Sequence, residues 1–320
     1  MSVKTAVIGL GIMGRRMTEH MALHPSFAPV ALWDPDPTAC RAAHAFAPDA
    51  QITRTPEEAI AAADLVYLAC PPVPRKAYAL AAADAGRSLF LEKPLGVDIA
   101  ESTALVAHLE ERDVPVAVNF TQAAGAALTG VHEAARAGTM GDILGADIVV
   151  TYSAWPREWQ KAADWLRFRD EGGPTREVLS HFLFFSERIL GPLSVDWARP
   201  SYPKDARLCE THMLARLVSH DGRAVSIMAS VGGAQPDRQE LTIKGSRASR
   251  RVSEFYIDEV SEGGPFIEIA ERPEDPRATS LKAQLDDLLL CLDRKPNRLA
   301  TPQEALRVQI LVEQMLSDKS

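Results

Sequence analysis

Short apolar runs rich in β-branched residues alternate with alanine-rich stretches through the first 120 residues of the chain. This alternation predicts strands joined by helical crossovers, and therefore a doubly wound parallel sheet. Helix starts are marked by Thr55 with Glu58 and by Asp98 with Glu101, because each pair resembles a capping box. The predicted strands are residues 4–9, 30–34, 65–69, 88–92 and 114–120.

The pattern changes after residue 145, where alanine becomes less frequent and strand-like segments follow one another with turn signals between them. Asp221-Gly222 and Gly232-Gly233 are two such signals, and they predict antiparallel hairpins. The predicted strands of this half are residues 146–152, 206–218, 224–231, 240–244 and 251–257.

Three helical segments accompany these strands. The first is one long predicted helix, ended by Gly191 and Pro192, and the other two are amphipathic. We therefore expect an α/β fold in which residues 1–120 hold the parallel sheet. Residues 121–320 should form an α+β domain with a large, mostly antiparallel open sheet and C-terminal helices. The three helical segments are residues 174–190, 280–294 and 302–316.

The composition agrees with two folded domains. The chain has 320 residues, of which 46% are hydrophobic, and a formal net charge of −8. A chain of this length can bury a sizeable core. The acidic excess, without a cluster of Lys and Arg, argues against a nucleic-acid partner. The uncharged run over residues 114–131 contains Pro, Asn, Gln and Gly, so we expect no membrane span.

Cysteine and histidine spacing indicates no metal site. The four cysteines are far apart and include no CxxC pair, which fits free thiols in a reducing cytoplasm. His20 and His24 have a spacing that can hold a metal on a helix, but no third ligand is evident. The cysteines are Cys40, Cys70, Cys209 and Cys291.

A glycine-rich turn follows the first predicted strand. Gly9, Gly11 and Gly14, with Ile12 and Met13 between them, form a GxGxxG pattern directly before a helical stretch. Glycine is needed where the chain turns tightly, where backbone approaches a pyrophosphate, and where helix packs on strand. The helix N-terminus then faces the anion. We therefore expect a dinucleotide-binding Rossmann domain with cofactor contacts at these five residues.

The end of the second predicted strand bears on which dinucleotide binds. Asp34 lies twenty residues beyond Gly14, where a carboxylate can accept a hydrogen bond from the adenosine ribose 2′-OH and would repel a 2′-phosphate. This favours NAD. NADP stays open, because Arg15, Arg16 or Arg41 could reach a phosphate.

Three further segments resemble one oxidoreductase family. They are residues 65–72, residues 92–96 with their Glu-Lys-Pro sequence, and residues 137–145. Together they resemble the glucose–fructose oxidoreductase, inositol dehydrogenase and MocA family over essentially the whole chain. The glycine turn alone also resembles 3-hydroxyisobutyrate and 6-phosphogluconate dehydrogenases, but those have an all-helical second domain. The resemblance implies cofactor contacts at Cys70, Pro71, Glu92, Lys93 and Pro94.

The family's second signature, a helix carrying Asp and four residues later His, is altered here. His181 is retained, but Glu177 replaces the Asp. Leu179 replaces the usual Gly, Phe184 replaces a frequent second Asp, and Arg176 stands where an apolar residue is common. These departures indicate a divergent member and leave the substrate open.

The retained residues suit hydride transfer. Removing a hydride from a carbinol carbon leaves a proton on oxygen, and His181 is our candidate for the acid or base that handles it. Glu177 could orient the imidazole or bind a substrate hydroxyl. Lys93 follows a parallel strand at the edge where such sheets bind ligands, and its ammonium can stabilise a developing alkoxide. The resemblance implies corresponding roles for Lys93 and His181.

An unusual collection of Trp and Arg precedes this helix, over residues 155–169. Indole rings can stack on a sugar or other ring, and guanidinium groups can hold a carboxylate or phosphate. A substrate with a ring or an anionic group is one hypothesis, and core Trp with solvated Arg is the alternative. The candidate substrate ligands are Asn119, Trp155, Trp165, Arg167 and Arg176.

The sequence thus predicts an NAD(P)-dependent oxidoreductase acting on a secondary hydroxyl, or the corresponding ketone, of a small polyol, sugar or related ring compound. A catalytically idle dinucleotide-binding sensor and a reductase of an imine or C=C bond are the alternatives. The resemblance also implies a homodimer or homotetramer formed through one face of the second-domain sheet.

Overall fold

The computed structural model describes residues 2–317, and the chain divides into two compact units. The first unit runs to Phe120 and also includes Leu281–Leu306. The second unit consists of Thr121–Ser280 and the residues from Arg307 onward. The boundary after residue 120 coincides with the expected one, whereas residues 281–306 lie in the first unit and not, as expected, in the second.

Backbone pairing explains why this later segment belongs to the first unit. The Val118 N–H donates to the Ala300 carbonyl at 2.8 Å, so the segment extends the edge of the parallel sheet. Arg294 forms an ion pair with Asp113 at 2.9 Å. Local sequence periodicity carries no information about such a return of the chain.

The first unit is built on a six-stranded sheet in which every pair is parallel. Its strand order is β3-β2-β1-β4-β5-β6, with the five helices as crossovers, which confirms the doubly wound prediction. The edge strand β3 was not predicted, because it has only two residues and both are exposed. The strands are β1 (Val3–Ile8), β2 (Phe27–Trp33), β3 (Gln51–Ile52), β4 (Leu65–Leu68), β5 (Ser88–Glu92) and β6 (Val116–Asn119). The helices are α1 (Ile12–Leu23), α2 (Pro37–His44), α3 (Pro56–Ala62), α4 (Pro72–Asp84) and α5 (Ile99–Arg112).

Both predicted helix starts are present. The Glu58 N–H donates to the Thr55 hydroxyl at 3.2 Å at the start of α3. The Glu101 N–H donates to the Asp98 carboxylate at 2.8 Å at the start of α5. These bonds satisfy backbone donors that have no partner within the helix.

The second unit is built on an eight-stranded sheet of order β14-β13-β12-β11-β7-β10-β9-β8. All neighbouring strands are antiparallel except β7 and β10, which confirms a mostly antiparallel sheet. The strands are β7 (Ile143–Tyr152), β8 (Leu193–Ser201), β9 (His212–Ser219), β10 (Ala224–Val231), β11 (Arg238–Gly245), β12 (Ser249–Ser253), β13 (Ile257–Ser261) and β14 (Ile267–Glu268). The α-helices beyond residue 120 are α6 (Ala126–Arg136), α7 (Ser180–Leu190), α8 (Pro276–Leu292) and α9 (Pro302–Leu316).

Two of the predicted turns have different outcomes. Asp221-Gly222 joins the antiparallel strands β9 and β10, as predicted. The hairpin predicted at Gly232-Gly233 is wrong, because the chain leaves β10 there and next pairs with β7 as β11. The two glycines indicate that the chain bends there, but they do not indicate which strand the next segment pairs with.

The predicted strand over residues 251–257 is also wrong, since the chain turns within it. Glu254 and Phe255 have φ of 50° and 69°, in the left-handed region, and separate β12 from β13. The turn contains no Gly, Asn or Pro, so no characteristic turn residue marks it. Strands β8 and β14 were not predicted at all.

Within residues 2–317, none of the helices combines the length and the apolar character that crossing a bilayer requires.

Candidate active site

The glycine turn between β1 and α1 packs backbone against backbone. Gly9 has φ of 90°, and a Cβ there would lie 2.4 Å from the Cys70 nitrogen. A Cβ on Gly14 would lie 1.8 Å from the Gly9 carbonyl oxygen. Both glycines are therefore required by the protein's own packing, Gly9 against the end of β4 and Gly14 against the turn itself.

Gly11 differs from its two neighbours in the motif. A Cβ on Gly11 would meet no protein atom within 4 Å. Gly11 also precedes α1 without a side-chain capping bond, and no acidic residue lies in the first turn, which starts with Ile12 and Met13. The positive end of the helix thus faces open space beside bare backbone, which fits a pyrophosphate.

Asp34 is held next to this turn by backbone donors. Its carboxylate accepts from the Leu10 N–H at 2.6 Å and from the Asp36 N–H at 2.8 Å. One bond falls on each oxygen, so each keeps a lone pair for a ribose hydroxyl. A second carboxylate, that of Asp36, follows and would add to the repulsion of a 2′-phosphate. Of the arginines considered for NADP, Arg41 donates to the Thr38 hydroxyl at 3.1 Å.

A buried polar cluster lies under the Glu-Lys-Pro segment at the ends of β4, β5 and β6. The Tyr67 hydroxyl and the Asn119 amide both donate to Oε1 of Glu92, the latter at 2.6 Å. Burial raises the pKa of both Glu92 and Tyr67. Lys93 follows directly and is only 8% exposed. The Asn119 Oδ1 is buried without a hydrogen-bond partner in residues 2–317, so it could accept a bond from a ligand.

Arg75 ties two of the predicted cofactor-contact segments together. Its guanidinium donates to the carbonyls of Glu92 at 2.7 Å and Cys70 at 2.5 Å, and also to that of Pro94. The side chain is 3% exposed. Sequence reasoning missed Arg75, although an arginine in the first turn of a helix after two prolines was a usable signal.

The predicted cofactor-contact residues of the first unit therefore lie at one edge of its sheet. The close approach of Gly9 to Cys70 links the glycine turn to the end of β4, and Arg75 links that strand end to the segment after β5. This is the edge at which doubly wound sheets bind their ligands.

His181 and Glu177 of the second unit lie at the start of the predicted long helix. That helix begins as a π-helical turn over Thr175–Leu179 and continues as α7. π-helical turns are frequent at functional sites. His181 is buried, and its ring meets the edge of Phe255 at 5.6 Å between centroids. Glu177 is half-buried within the π turn.

Arg176 holds this helix start in place. Its guanidinium bonds both oxygens of Glu313, at 2.7 and 2.8 Å, and the carbonyls of Arg169 and Gly172 at 2.7 and 3.0 Å. Four of its five N–H groups are thereby used. We therefore do not retain Arg176 among the substrate ligands.

The Trp and Arg collection has partners within the chain. Arg167 is exposed and paired with Asp164 at 2.7 Å, and Trp165 lies in the same short 3₁₀ helix. The Trp155 indole N–H donates to the Leu166 carbonyl at 2.9 Å, while its ring lies 5.7 Å from that of Tyr152. Tyr152, which ends β7, was missed by the sequence analysis.

Comparison with protein families agrees with the geometry of the first unit. Residues 3–120 match the family of glucose–fructose oxidoreductase, inositol dehydrogenase and MocA, described as "Oxidoreductase family, NAD-binding Rossmann fold". This match over residues 3–120 agrees with the family resemblance of the sequence. The family description names NAD, and the open helix end at Gly11 and the Asp34 carboxylate fit that dinucleotide. The predicted cofactor is therefore confirmed. No curated protein sequence matches the chain.

Solved structures share the fold over the full length. The WlbA dehydrogenase from Bordetella pertussis, in complex with NADH and UDP-GlcNAcA, is 22% identical, with a TM-score of 0.83 over 100% of this chain and 98% of that chain. An oxidoreductase from Agrobacterium radiobacter, in complex with NAD+, L-tartaric acid and magnesium, is 16% identical, with a TM-score of 0.86 over 100% and 98%. Myo-inositol 2-dehydrogenase from Lactobacillus plantarum is 16% identical, with a TM-score of 0.81 over 98% and 96%.

Gly11→Ala and Gly14→Ala should have different effects, the first on NAD binding and the second on stability. Gly11→Ala places a methyl group in space that the protein leaves empty, so we expect normal folding and about tenfold weaker NAD binding, equivalent to ~1.4 kcal/mol. Gly14→Ala forces a Cβ onto the Gly9 carbonyl and should lower the free energy of unfolding by about 1–3 kcal/mol. Calorimetric NAD titration and thermal unfolding without cofactor check both. Unchanged NAD binding by Gly11→Ala would contradict the assignment.

Asp34→Asn should change the preference between the two dinucleotides. The amide keeps the shape and an acceptor for the Leu10 N–H but removes the charge that repels a 2′-phosphate. We expect the ratio of the NADP and NAD dissociation constants to fall by about tenfold. Asp49→Asn, an exposed site in the same unit, is the matched control. An unaltered ratio in Asp34→Asn would assign cofactor choice to other residues.

Proposed function

We propose that the protein is an NAD-dependent dehydrogenase that transfers a hydride between nicotinamide and a secondary alcohol, or the corresponding ketone, of a small polyol, sugar or related ring compound. The observation that carries the proposal is the position of Lys93, directly after the buried Glu92 cluster and at the sheet edge that holds the glycine turn of an NAD-binding domain. Two of the similar structures are described as dehydrogenases, which supports this reaction class.

In this proposal Lys93 acts on the reacting oxygen of the substrate. Its ammonium donates a hydrogen bond to that oxygen and stabilises the negative charge that develops there. The neighbouring Glu92 carboxylate, fixed by Tyr67 and Asn119, keeps a counter-charge close to the ammonium. Bound NAD supplies the hydride acceptor.

His181 is the proposed acid or base of the second unit. An imidazole can take the hydroxyl proton during oxidation and return it during reduction. Burial and the edge contact with Phe255 limit the orientations of its ring. Glu177, one turn earlier, is the proposed ligand for a second substrate hydroxyl.

Lys93→Ala and His181→Ala should each lower turnover by about tenfold or more, because a positioned acid or base contributes roughly 10²–10⁴ to the rate. Folding and NAD affinity should be kept. The measurement is NADH formation with a panel of polyols and sugars. The controls are Lys204→Ala and His132→Ala, which change exposed side chains. Undiminished turnover in both active-site variants would refute the roles. NAD binding without any turnover would favour the sensor alternative.

We also propose that the exposed face of the second-unit sheet forms a homodimer or homotetramer interface. Leu214 of β9 lies directly opposite Met228 of β10, which lies opposite Val149 of β7. Leu214 and Met228 are 49% and 41% exposed, and Trp197 of β8 is 42% exposed on the same face. Leu214, Met228 and Val149 thus form an apolar row across three strands, and Trp197 lies opposite Arg216 on the same face. Exposed apolar surface of this kind is typical of a protein–protein interface.

Leu214→Asp and Met228→Asp should therefore dissociate the oligomer. A charge in an apolar interface has no partner, so the mass in solution should fall towards the 34.8 kDa of one chain. Light scattering after size exclusion measures it. Leu23→Asp, at an apolar residue of α1 that is 76% exposed, is the control. A wild-type chain that is already monomeric would rule out the interface.

A further inference from the structure

Three aromatic rings surround one guanidinium group in the second unit. The Arg157 guanidinium carbon lies 4.6 Å from the centroid of the Trp159 ring, 4.9 Å from that of Tyr152 and 5.9 Å from that of Trp155. These distances lie within the roughly 6 Å over which cation–π attraction acts. Nε also donates to the Gln160 side chain at 2.8 Å. The planar group is therefore held in one orientation.

Within residues 2–317 this fixed cation is not used in an ion pair. Its hydrogen bonds within residues 2–317 are those from Nε to Gln160 and from Nη1 to the Tyr152 hydroxyl, the latter at 3.4 Å. Of its five N–H groups, three remain for another acceptor. Arg167 and Arg176, in contrast, are paired with Asp164 and Glu313.

A second arginine shares the same indole ring. The Arg277 guanidinium carbon, in the first turn of α8, lies 5.3 Å from the centroid of the Trp159 ring. The Asp275 carboxylate accepts from the Arg277 backbone N–H at 3.0 Å, but no carboxylate in the described part of the chain forms an ion pair with its guanidinium. Two like charges on one ring repel each other, and a bound anion would offset that repulsion. Oxyanions are the ligands that a guanidinium fork binds best.

The same cluster borders the proposed acid–base residues of the second unit. Burial raises the pKa of Tyr152, and the Arg157 charge is the strongest opposing influence. The Asp237 and Glu177 carboxylates act on the same hydroxyl in the opposite direction. Both Arg157 and Glu177 are therefore near enough to act on the pKa of Tyr152, and Glu177 precedes His181 by one turn.

We propose that Arg157, assisted by Arg277, binds an oxyanion carried by the substrate, a carboxylate or a phosphate on a sugar or polyol. The Trp155 and Trp159 rings provide apolar surfaces for the sugar ring. The inference rests on the proposed function and narrows its substrate class to acidic compounds. It also replaces Arg167 and Arg176 as the arginines that select the anion.

Three probes that differ only at the sixth carbon of glucose test the proposal on the full chain with NAD present. They are D-glucose, D-glucuronate and D-glucose 6-phosphate, measured by calorimetry and by quenching of tryptophan fluorescence. We expect at least one anion to bind about tenfold or more tightly than glucose. The tighter of the two anions identifies the carboxylate or the phosphate as the group that is recognised.

The variants separate a binding role from a structural one. Arg157→Gln should remove the preference for the anion, so that the anion and glucose bind with similar affinity. Arg157→Lys keeps the positive charge but not the forked guanidinium, so it should retain part of the preference for the anion. Arg136→Gln, at an exposed unpaired arginine of α6, is the matched control. Thermal unfolding verifies that each variant folds.

The outcomes distinguish this inference from the proposed function. Anion binding that is equal in wild type and Arg157→Gln, or no binding of either anion, overturns the inference. Equal binding of glucose and both anions by the wild-type chain, with NADH still formed from glucose, overturns it as well but leaves the proposed dehydrogenase reaction intact. Arg157-dependent anion binding without NADH formation from any probe supports the anion site and counts against the proposed reaction.

Discussion

The close approach of the β1–α1 turn to the end of β4 is the constraint on which the rest depends. A side chain at Gly9 or Gly14 would overlap backbone atoms, so the first turn of α1 can take this position only with glycine at both sites. The helix N-terminus is thereby left open beside Gly11, and the Leu10 N–H is brought within 2.6 Å of the Asp34 carboxylate. One packing requirement thus creates both the open helix end and the neighbouring carboxylate, which we propose as the sites for the pyrophosphate and the ribose.

Buried polar groups carry this arrangement across the sheet edge. Glu92 is costly to bury, and its raised pKa records that cost. Bonds from Tyr67 and Asn119 offset part of it, and Arg75 fixes the adjoining carbonyls. Removing one partner leaves the others unsatisfied in a low-dielectric site, so we expect these residues to act as a unit.

The sequence predicted the first unit better than the second, for physical reasons. Parallel strands are continuous apolar runs, and the glycine turn has a fixed chemical requirement, so the strands and cofactor residues could be read locally. Pairing partners could not, because residues distant in sequence decide them. The turn at Glu254 lacked any turn residue, Arg176 revealed its role only through Glu313, and Arg75 and Arg157 depend on carbonyls and rings brought together by folding.

Hydrogen–deuterium exchange with and without saturating NAD tests the central claim most directly. We expect slower amide exchange in peptides that cover residues 9–15 and 33–38, where the glycine turn and Asp34 lie, and no change along β8 and β9. Binding of NAD that leaves the glycine-turn amides unprotected, or protects only segments outside the first unit, would contradict it.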